Sequence, residues 1–219
     1  MYKLIIFDLD GTMFNTAPGI TKAMSQLLER HNRPKLSDET IISYIGHGLE
    51  GLAKNVWPEL LNDPEKTQQL IHEFKELYDD CYLEGSHMYD GLLDFLNQWD
   101  GRIAVVSNKT LKYVQGLVQS TPLKDHKWEY LIGGDVPEQR KPQPDGIESV
   151  LIATGIAANE CVMIGDHAVD IQAAKSAQVS SVAVTFGFSD HEELKSHSPT
   201  GVLHHYNDLM SLLTHMHQQ

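Results

Sequence analysis

Two aspartates separated by one leucine, Asp8 and Asp10, follow the apolar run Leu4-Ile5-Ile6-Phe7. Anions this close repel each other, so one must bind a cation or one must hold a proton. Matching groups recur far along the chain. Ser107-Asn108-Lys109 follows Ile103 to Val106, and Lys141 stands in Arg140-Lys141-Pro142-Gln143-Pro144. Val162-Met163-Ile164 runs into Gly165-Asp166, and Asp170 comes shortly after. The carboxylates of Asp8, Asp10, Asp166 and Asp170 suit Mg2+, which takes oxygen ligands in an octahedron. A hydroxyl (Ser107) and a lysine (Lys141) suit phosphate oxygens. Carboxylates, Mg2+ and a lysine together suit phosphoryl transfer, where positioning and charge neutralisation do most of the catalysis. The plainer reading of Asp10-Gly11 is a simple turn. It weakens because the other strand ends carry matching chemistry.

Such groups need a rigid edge to stand on. Five short, nearly all-apolar runs supply it: Leu4 to Phe7, Ile103 to Val106, Tyr130 to Ile132, Val162 to Ile164 and Val182 to Phe186. Their composition is that of strands covered on both faces. Helical patterns alternate with them at Gly91 to Trp99, Leu111 to Gln119, Pro144 to Thr154 and Val169 to Ala177. Alternating strand and helix predicts an α/β fold, a Rossmann-like core with a central parallel β-sheet flanked by helices. In a strand, residues two apart point the same way, so Asp8 and Asp10 share a side at the carboxyl end of the first strand. That edge is where ligands bind in parallel α/β sheets. Pro142 biases Lys141 toward an extended backbone, and Pro144 suits a first helical turn.

One stretch breaks the alternation. Between Asn15 and Met88 the patterns are helical: Gly19 to His31, Asp38 to Ile45, Leu49 to Trp57 and Glu65 to Leu83. Ser37-Asp38 and Asp63-Pro64 read as helix starts. The expectation is an inserted α-helical cap over residues 15–87, with the core domain formed by residues 1–14 and 88–219. The hinges are expected near Phe14 to Ala17 and Glu84 to Asp90. A last amphipathic helix is expected from Asn207.

The 219 residues suffice for one domain with a sizeable core plus an insert. A formal net charge of -13 disfavours nucleic acid and anionic membrane surfaces as partners, while leaving a small anionic substrate open. Cys81 and Cys161 are too few and too far apart for a disulfide framework or a metal site, and they read as small buried hydrophobes. None of the 12 histidines stands in a ligand motif. No signal peptide or membrane-spanning run is evident, so a cytoplasmic protein, monomer or homodimer, is expected.

The sequence resembles the haloacid dehalogenase superfamily of phosphatases. Four motifs carry the likeness, in order and at fitting separations: Asp8-Leu9-Asp10-Gly11-Thr12; Ser107 at a strand end; Lys141 in Lys-Pro-x-Pro; and Gly165-Asp166-His167-Ala168-Val169-Asp170. Within the superfamily the chain is most similar to phosphoglycolate phosphatases. Tyr44-Ile45-Gly46-His47-Gly48, Ile132-Gly133-Gly134-Asp135 and Asp170-Ile171-Gln172-Ala173-Ala174-Lys175 point there.

The resemblance implies that Asp8 attacks phosphorus and forms an aspartyl phosphate. Asp10 would protonate the leaving alcohol and then deprotonate the attacking water. Asp8, the Asp10 backbone carbonyl and Asp166 would hold Mg2+. Asp170 would support the metal shell or orient Lys141. Ser107 and Lys141 would bind the transferring phosphoryl oxygens, helped by the Thr12 hydroxyl, the Gly11 backbone and Asn108. For Asn108 and Lys109 the alternatives are a loop asparagine and a surface lysine. The Gly46-His47-Gly48 stretch would expose backbone N–H groups at a helix start and so hold a small carboxylate. The alternative there is a plain helix–helix turn.

Two positions depart from the pattern. Asn15 stands where many relatives have Asp, and His167 stands where Ser or Thr is common. The implied substrate is a small phosphorylated metabolite, 2-phosphoglycolate first. Another small ester or pyrophosphate is the enzymatic alternative, and a non-catalytic regulatory module the other one. The intact motif set opposes the latter.

Overall fold

A computed structural model describes residues 2–60 and 62–218. The chain divides into two compact units, Met1–Phe14 with Met88–Gln219, and Asn15–His87. Strand β1 (Leu4–Phe7) and the short β2 (Phe14–Asn15) come first. Helices α1 (Ala17–Arg30), α2 (Asp38–Ile42), α3 (Gly48–Val56) and α4 (Pro64–Asp79) make up the second unit. After β3 (His87–Met88) come α5 (Leu92–Gln98), β4 (Arg102–Val106), α6 (Leu111–Gln119), β5 (Trp128–Ile132) and α7 (Asp145–Thr154). Then follow β6 (Cys161–Gly165), α8 (Ala168–Ser176), β7 (Ser180–Val184), α9 (His191–Ser196), β8 (Gly201–Leu203) and α10 (Leu209–Met216).

Six strands form one sheet in the order β5-β4-β1-β6-β7-β8, and every pairing is parallel. Strand β1 lies in the interior because both of its edges are paired. Phe7 lies level with Val105 on one side and Ile164 on the other. The chain fills the sheet on one side of β1 with β4 and β5, then crosses to the other side with β6, β7 and β8. This reversal creates a switch point, and the carboxyl ends of β4, β1 and β6 meet there. The apolar composition of β1, β4 and β6 follows from their burial on both faces. One face packs Leu4, Ile6, Ala104, Val106, Cys161 and Met163 against Ile147 and Val150 of α7 and Ala173 and Ala174 of α8. Cys161 is therefore core, and both cysteines are free and buried.

The sequence missed β8, whose three residues present only two apolar side chains, and α9. The apolar pattern of β7 runs on to Phe186. The strand stops at Val184, although the Thr185 N–H still donates to the Leu203 carbonyl at 3.0 Å. In the helical unit, α2 ends at Ile42 rather than Ile45, and α4 at Asp79 rather than Leu83. The expected helix starts hold: Ser37 Oγ accepts from Thr40 N–H at 3.2 Å, and Asp63 Oδ1 from Lys66 N–H at 3.1 Å. Helix α1 packs on α4, burying Met24, Leu27, Leu70 and Phe74. Strands β2 and β3 pair as a separate two-stranded sheet. Among the described residues, no helix is long and apolar enough to cross a membrane.

Candidate active site

The ladder of β1 runs one residue past the strand, where the Asp8 N–H donates to the Ile164 carbonyl at 2.8 Å. That bond fixes Asp8 at the strand end, where its residue is buried. The chain then folds back on itself. The Leu9 carbonyl accepts from the N–H groups of Met13 and Phe14 at 2.9 and 3.0 Å, and the Gly11 N–H donates to the Phe14 carbonyl at 2.8 Å. Gly11 takes φ +76°, a left-handed corner. A Cβ at Gly11 would also collide with the Asp166 carboxylate. The Asp-Gly signal thus is a turn, and it is also a piece of the site. The Tyr206 hydroxyl closes the turn from behind by donating to the Thr12 carbonyl at 2.9 Å.

At the end of β4, the Ser107 N–H donates to the Ile132 carbonyl at 3.0 Å, and the buried Ser107 Oγ accepts from the Lys109 N–H at 3.3 Å. Asn108 turns its amide onto the backbone of Lys141. Its Nδ2 donates to the Lys141 carbonyl at 2.9 Å, and its Oδ1 accepts from the Lys141 N–H at 2.8 Å. Lys141, from the loop before α7, is held where its ammonium lies 2.6 Å from Asp8 Oδ1 and 2.6 Å from Asp170 Oδ1. Lys109 takes the other member of the first carboxylate pair, with Nζ 2.9 and 3.2 Å from the two Asp10 oxygens.

At the end of β6, Asp166 Oδ2 accepts from the Phe188 N–H at 2.7 Å, and Oδ1 accepts from the Thr12 hydroxyl at 3.3 Å. Asp170 sits in the first turn of α8, and its Oδ2 accepts from the His167 N–H at 2.9 Å. The helix start therefore fixes the carboxylate that faces Lys141.

Asp8, Asp166 and Asp170 each offer an oxygen within 4.8 Å of the others, all from buried residues. Lys141 is the cation bonded to two of them, so negative charge is in excess. The consequence shows in the proton affinities of Asp8 and Asp166. Burial, opposed by Lys141 and reinforced by Asp170 and Asp10, pushes the Asp8 carboxyl up to about 6. Burial, with Asp8 and Asp170 adding to it, pushes Asp166 well above the ordinary carboxylate range. Burial alone would lower the Lys141 ammonium, but Asp170 and Asp8 reverse this, and the net shift is upward. The lysine stays charged, and Asp8 and Asp166 carry the strain of the cluster. A divalent cation fits such a donor set, since it would supply the charge that one lysine leaves unbalanced.

The turn after β1, the ends of β4 and β6, the loop before α7 and the start of α8 thus bring together Asp8, Asp10, Gly11, Thr12, Ser107, Asn108, Lys141, Asp166 and Asp170. Gly46 and His47 lie in the helical unit between α2 and α3, His47 is the N-cap of α3 and Gly48 its first residue, and both glycines have positive φ. Asn15, the first departure, accepts the Ala17 N–H on its Oδ1 at 3.2 Å at the entrance to α1. His167, the second, is the N-cap residue of α8.

Three contributors are not legible as partners of the site from sequence alone. The Phe188 N–H is a backbone donor and leaves no trace in side-chain type. Tyr206 gives no signal, because its partner is 194 residues away. Lys109 gave one only by adjoining Ser107 and Asn108.

Residues 5–184 match the family model described as haloacid dehalogenase-like hydrolase. The phosphoglycolate phosphatase of Colwellia psychrerythraea is 30% identical over 217 residues, covering 95% of each chain. That of Vibrio parahaemolyticus is 28% identical and covers 96% of each chain. Among solved structures, a predicted phosphoglycolate phosphatase from Haemophilus somnus superposes with a TM-score of 0.87 at 25% identity, covering 96% of this chain and 97% of that one. A haloacid dehalogenase-like family hydrolase of Streptococcus pneumoniae shares the fold, with a TM-score of 0.85 at 19% identity over 96% of this chain and 97% of that one.

Proposed function

The chain belongs to the haloacid dehalogenase-like hydrolase family, and on that premise we propose that it is a Mg2+-dependent phosphatase that hydrolyses 2-phosphoglycolate to glycolate and phosphate. Its reaction class is phosphoric monoester hydrolysis, as in the phosphoglycolate phosphatases it resembles over most of its length. The observation that carries the reading is the buried cluster of Asp8, Asp166 and Asp170 with Lys141 bonded to two of its members.

Asp8, Asp166 and the Asp10 carbonyl would hold the metal, with Asp170 behind them. A bound Mg2+ would supply positive charge against the phosphoryl oxygens. An Asp8 carboxylate oxygen attacks phosphorus, and the bond from phosphorus to the ester oxygen breaks. Asp10 gives its proton to that leaving oxygen. A water then attacks the aspartyl phosphate, Asp10 takes the water's proton, and phosphate leaves with Asp8 regenerated. Lys141 neutralises the transferring group, and Asp170 orients Lys141 through their 2.6 Å contact. Ser107, Thr12, Gly11 and Asn108 complete the phosphate cradle, Asn108 by fixing the Lys141 backbone.

Residues 15–87 would act as a cap that selects substrate, with Gly46, His47 and Gly48 holding its carboxylate. A cytoplasmic location belongs to the same proposal, as does the absence of nucleic-acid and membrane partners.

The test is hydrolysis of a panel of phosphate esters with Mg2+, ranked by kcat/KM. Phosphoglycolate should lead, chelation should stop turnover, and Asp8→Asn should abolish it. Retained turnover in Asp8→Asn would sink the covalent route. An unchanged KM for phosphoglycolate in His47→Ala would remove that residue from substrate selection.

A further inference from the structure

Lys109 is a lysine in an unusual position. Its residue is buried, and its side chain is only 5% exposed. Its backbone is held at both ends: the N–H donates to Ser107 Oγ at 3.3 Å, and the carbonyl accepts from the Gly134 N–H at 2.8 Å. Gly134 comes so close that a Cβ there would run into the Asn108 backbone. The loop after β5 therefore clamps the turn after β4, and the lysine stem has little freedom. Its ammonium lies 6.0 Å from the centre of the Tyr113 ring and meets both oxygens of Asp10, at 2.9 and 3.2 Å.

Taking an ammonium out of water is costly unless a carboxylate receives it. A plain surface lysine would not be built this way. A lysine that only neutralised the metal cluster would face Asp8 or Asp166, as Lys141 faces Asp8. Lys109 instead addresses the acid next along the strand end. Contact with both oxygens fixes the rotation of the carboxylate as well as its place.

We propose that Lys109 is a positioning residue for Asp10, setting the orientation in which that carboxyl exchanges a proton with the leaving oxygen. The inference rests on the phosphatase reading and goes beyond it, because the proton exchange by itself names no partner for Asp10. Two lysines then divide the work. Lys141 serves the nucleophile and the phosphoryl group, and Lys109 serves the acid–base residue.

A positioning role makes a prediction that a general structural role does not. The benefit of a well-placed acid depends on how badly the leaving group needs a proton. An alkyl ester such as phosphoglycolate needs one, whereas p-nitrophenyl phosphate releases a stable phenolate without it. Because kcat/KM counts only the steps up to loss of the leaving group, before the aspartyl-phosphate hydrolysis that both esters share, Lys109→Met with Mg2+ present should lower kcat/KM for phosphoglycolate about tenfold or more and leave kcat/KM for p-nitrophenyl phosphate within about twofold. In an Asp10→Asn background, Lys109→Met should cause no further loss. Should Lys109→Met fail to fold by circular dichroism, Lys109→Gln is measured on the same pair of esters. Equal loss of kcat/KM on both esters, or full additivity with Asp10→Asn on phosphoglycolate, would overturn the proposal. A wild-type protein inactive on both esters would overturn the phosphatase reading, and the role of Lys109 with it. An active wild type with an unaltered ester ratio in the variants would overturn the role of Lys109 alone.

Discussion

Asn108 holds Lys141 by its main chain. One side-chain amide gives and takes a hydrogen bond across 33 residues, at 2.9 and 2.8 Å, in a buried setting. The lysine ammonium reaches Asp8 and Asp170 from a backbone that its own segment does not fix alone. Replacing Asn108 by Ala removes both bonds and leaves a buried N–H and carbonyl without these partners. A loss of about 2 kcal/mol in unfolding free energy is expected. Because Lys141 would lose its register, kcat should fall as well. Chemical denaturation and steady-state kinetics on the same preparation check both. Wild-type kcat in a destabilised Asn108→Ala would mean that Lys141 finds its place unaided.

The carboxylate cluster should make stability depend on pH and on metal together. A carboxyl whose value is raised by folding contributes stability below its unfolded value, 3.8 for Asp8, and loses it as the pH rises through about 6. Asp166 is shifted in the same direction. Metal-free protein should therefore lose stability from Asp8 between pH 3.8 and about 6, with Asp166 acting in the same sense. A metal must displace those protons to bind, so the rise in Tm caused by Mg2+ should be small at pH 5 and larger at pH 7.5. Thermal melts with and without Mg2+ at the two pH values decide this. An equal or larger effect at pH 5 would contradict it.

Gly187 offers a purely steric probe of the proposed metal site. A Cβ there would press on Asp166 and on the Gly11 carbonyl at once. Gly187→Ala should shift Asp166 and weaken Mg2+ binding about tenfold, the size of effect seen when a supporting contact to a ligand is disturbed. Titration calorimetry with Mg2+ measures it directly. Unaltered affinity would show that the loop yields instead.

The candidate site was legible wherever its chemistry lay in side chains at the ends of apolar runs. Asp8, Asp10, Ser107 and Asp166 announce themselves because a buried strand has few reasons to end on such groups. The parallel sheet was legible for the same reason, through β1, β4 and β6. Strand β8 was not, because its Gly-Val-Leu is too short to show a pattern, and its place is set by pairing with β7. Lys109 was ambiguous because nothing local distinguishes a buried lysine from an exposed one. Its burial comes from the loop around Gly134 and from Asp10, 99 residues away. The Phe188 N–H was invisible altogether, since every residue but proline carries one.

The bond from Tyr206 to the Thr12 carbonyl has a bearing on biosynthesis. The turn that carries Asp10 leaves the ribosome well before one of its anchors, which is translated 194 residues later. Strand β1 waits in the same way for β6, its neighbour on one side. A nascent chain stalled before Tyr206 would expose the aspartates on a loop without that anchor. Competence should thus arise only when distant segments close around β1.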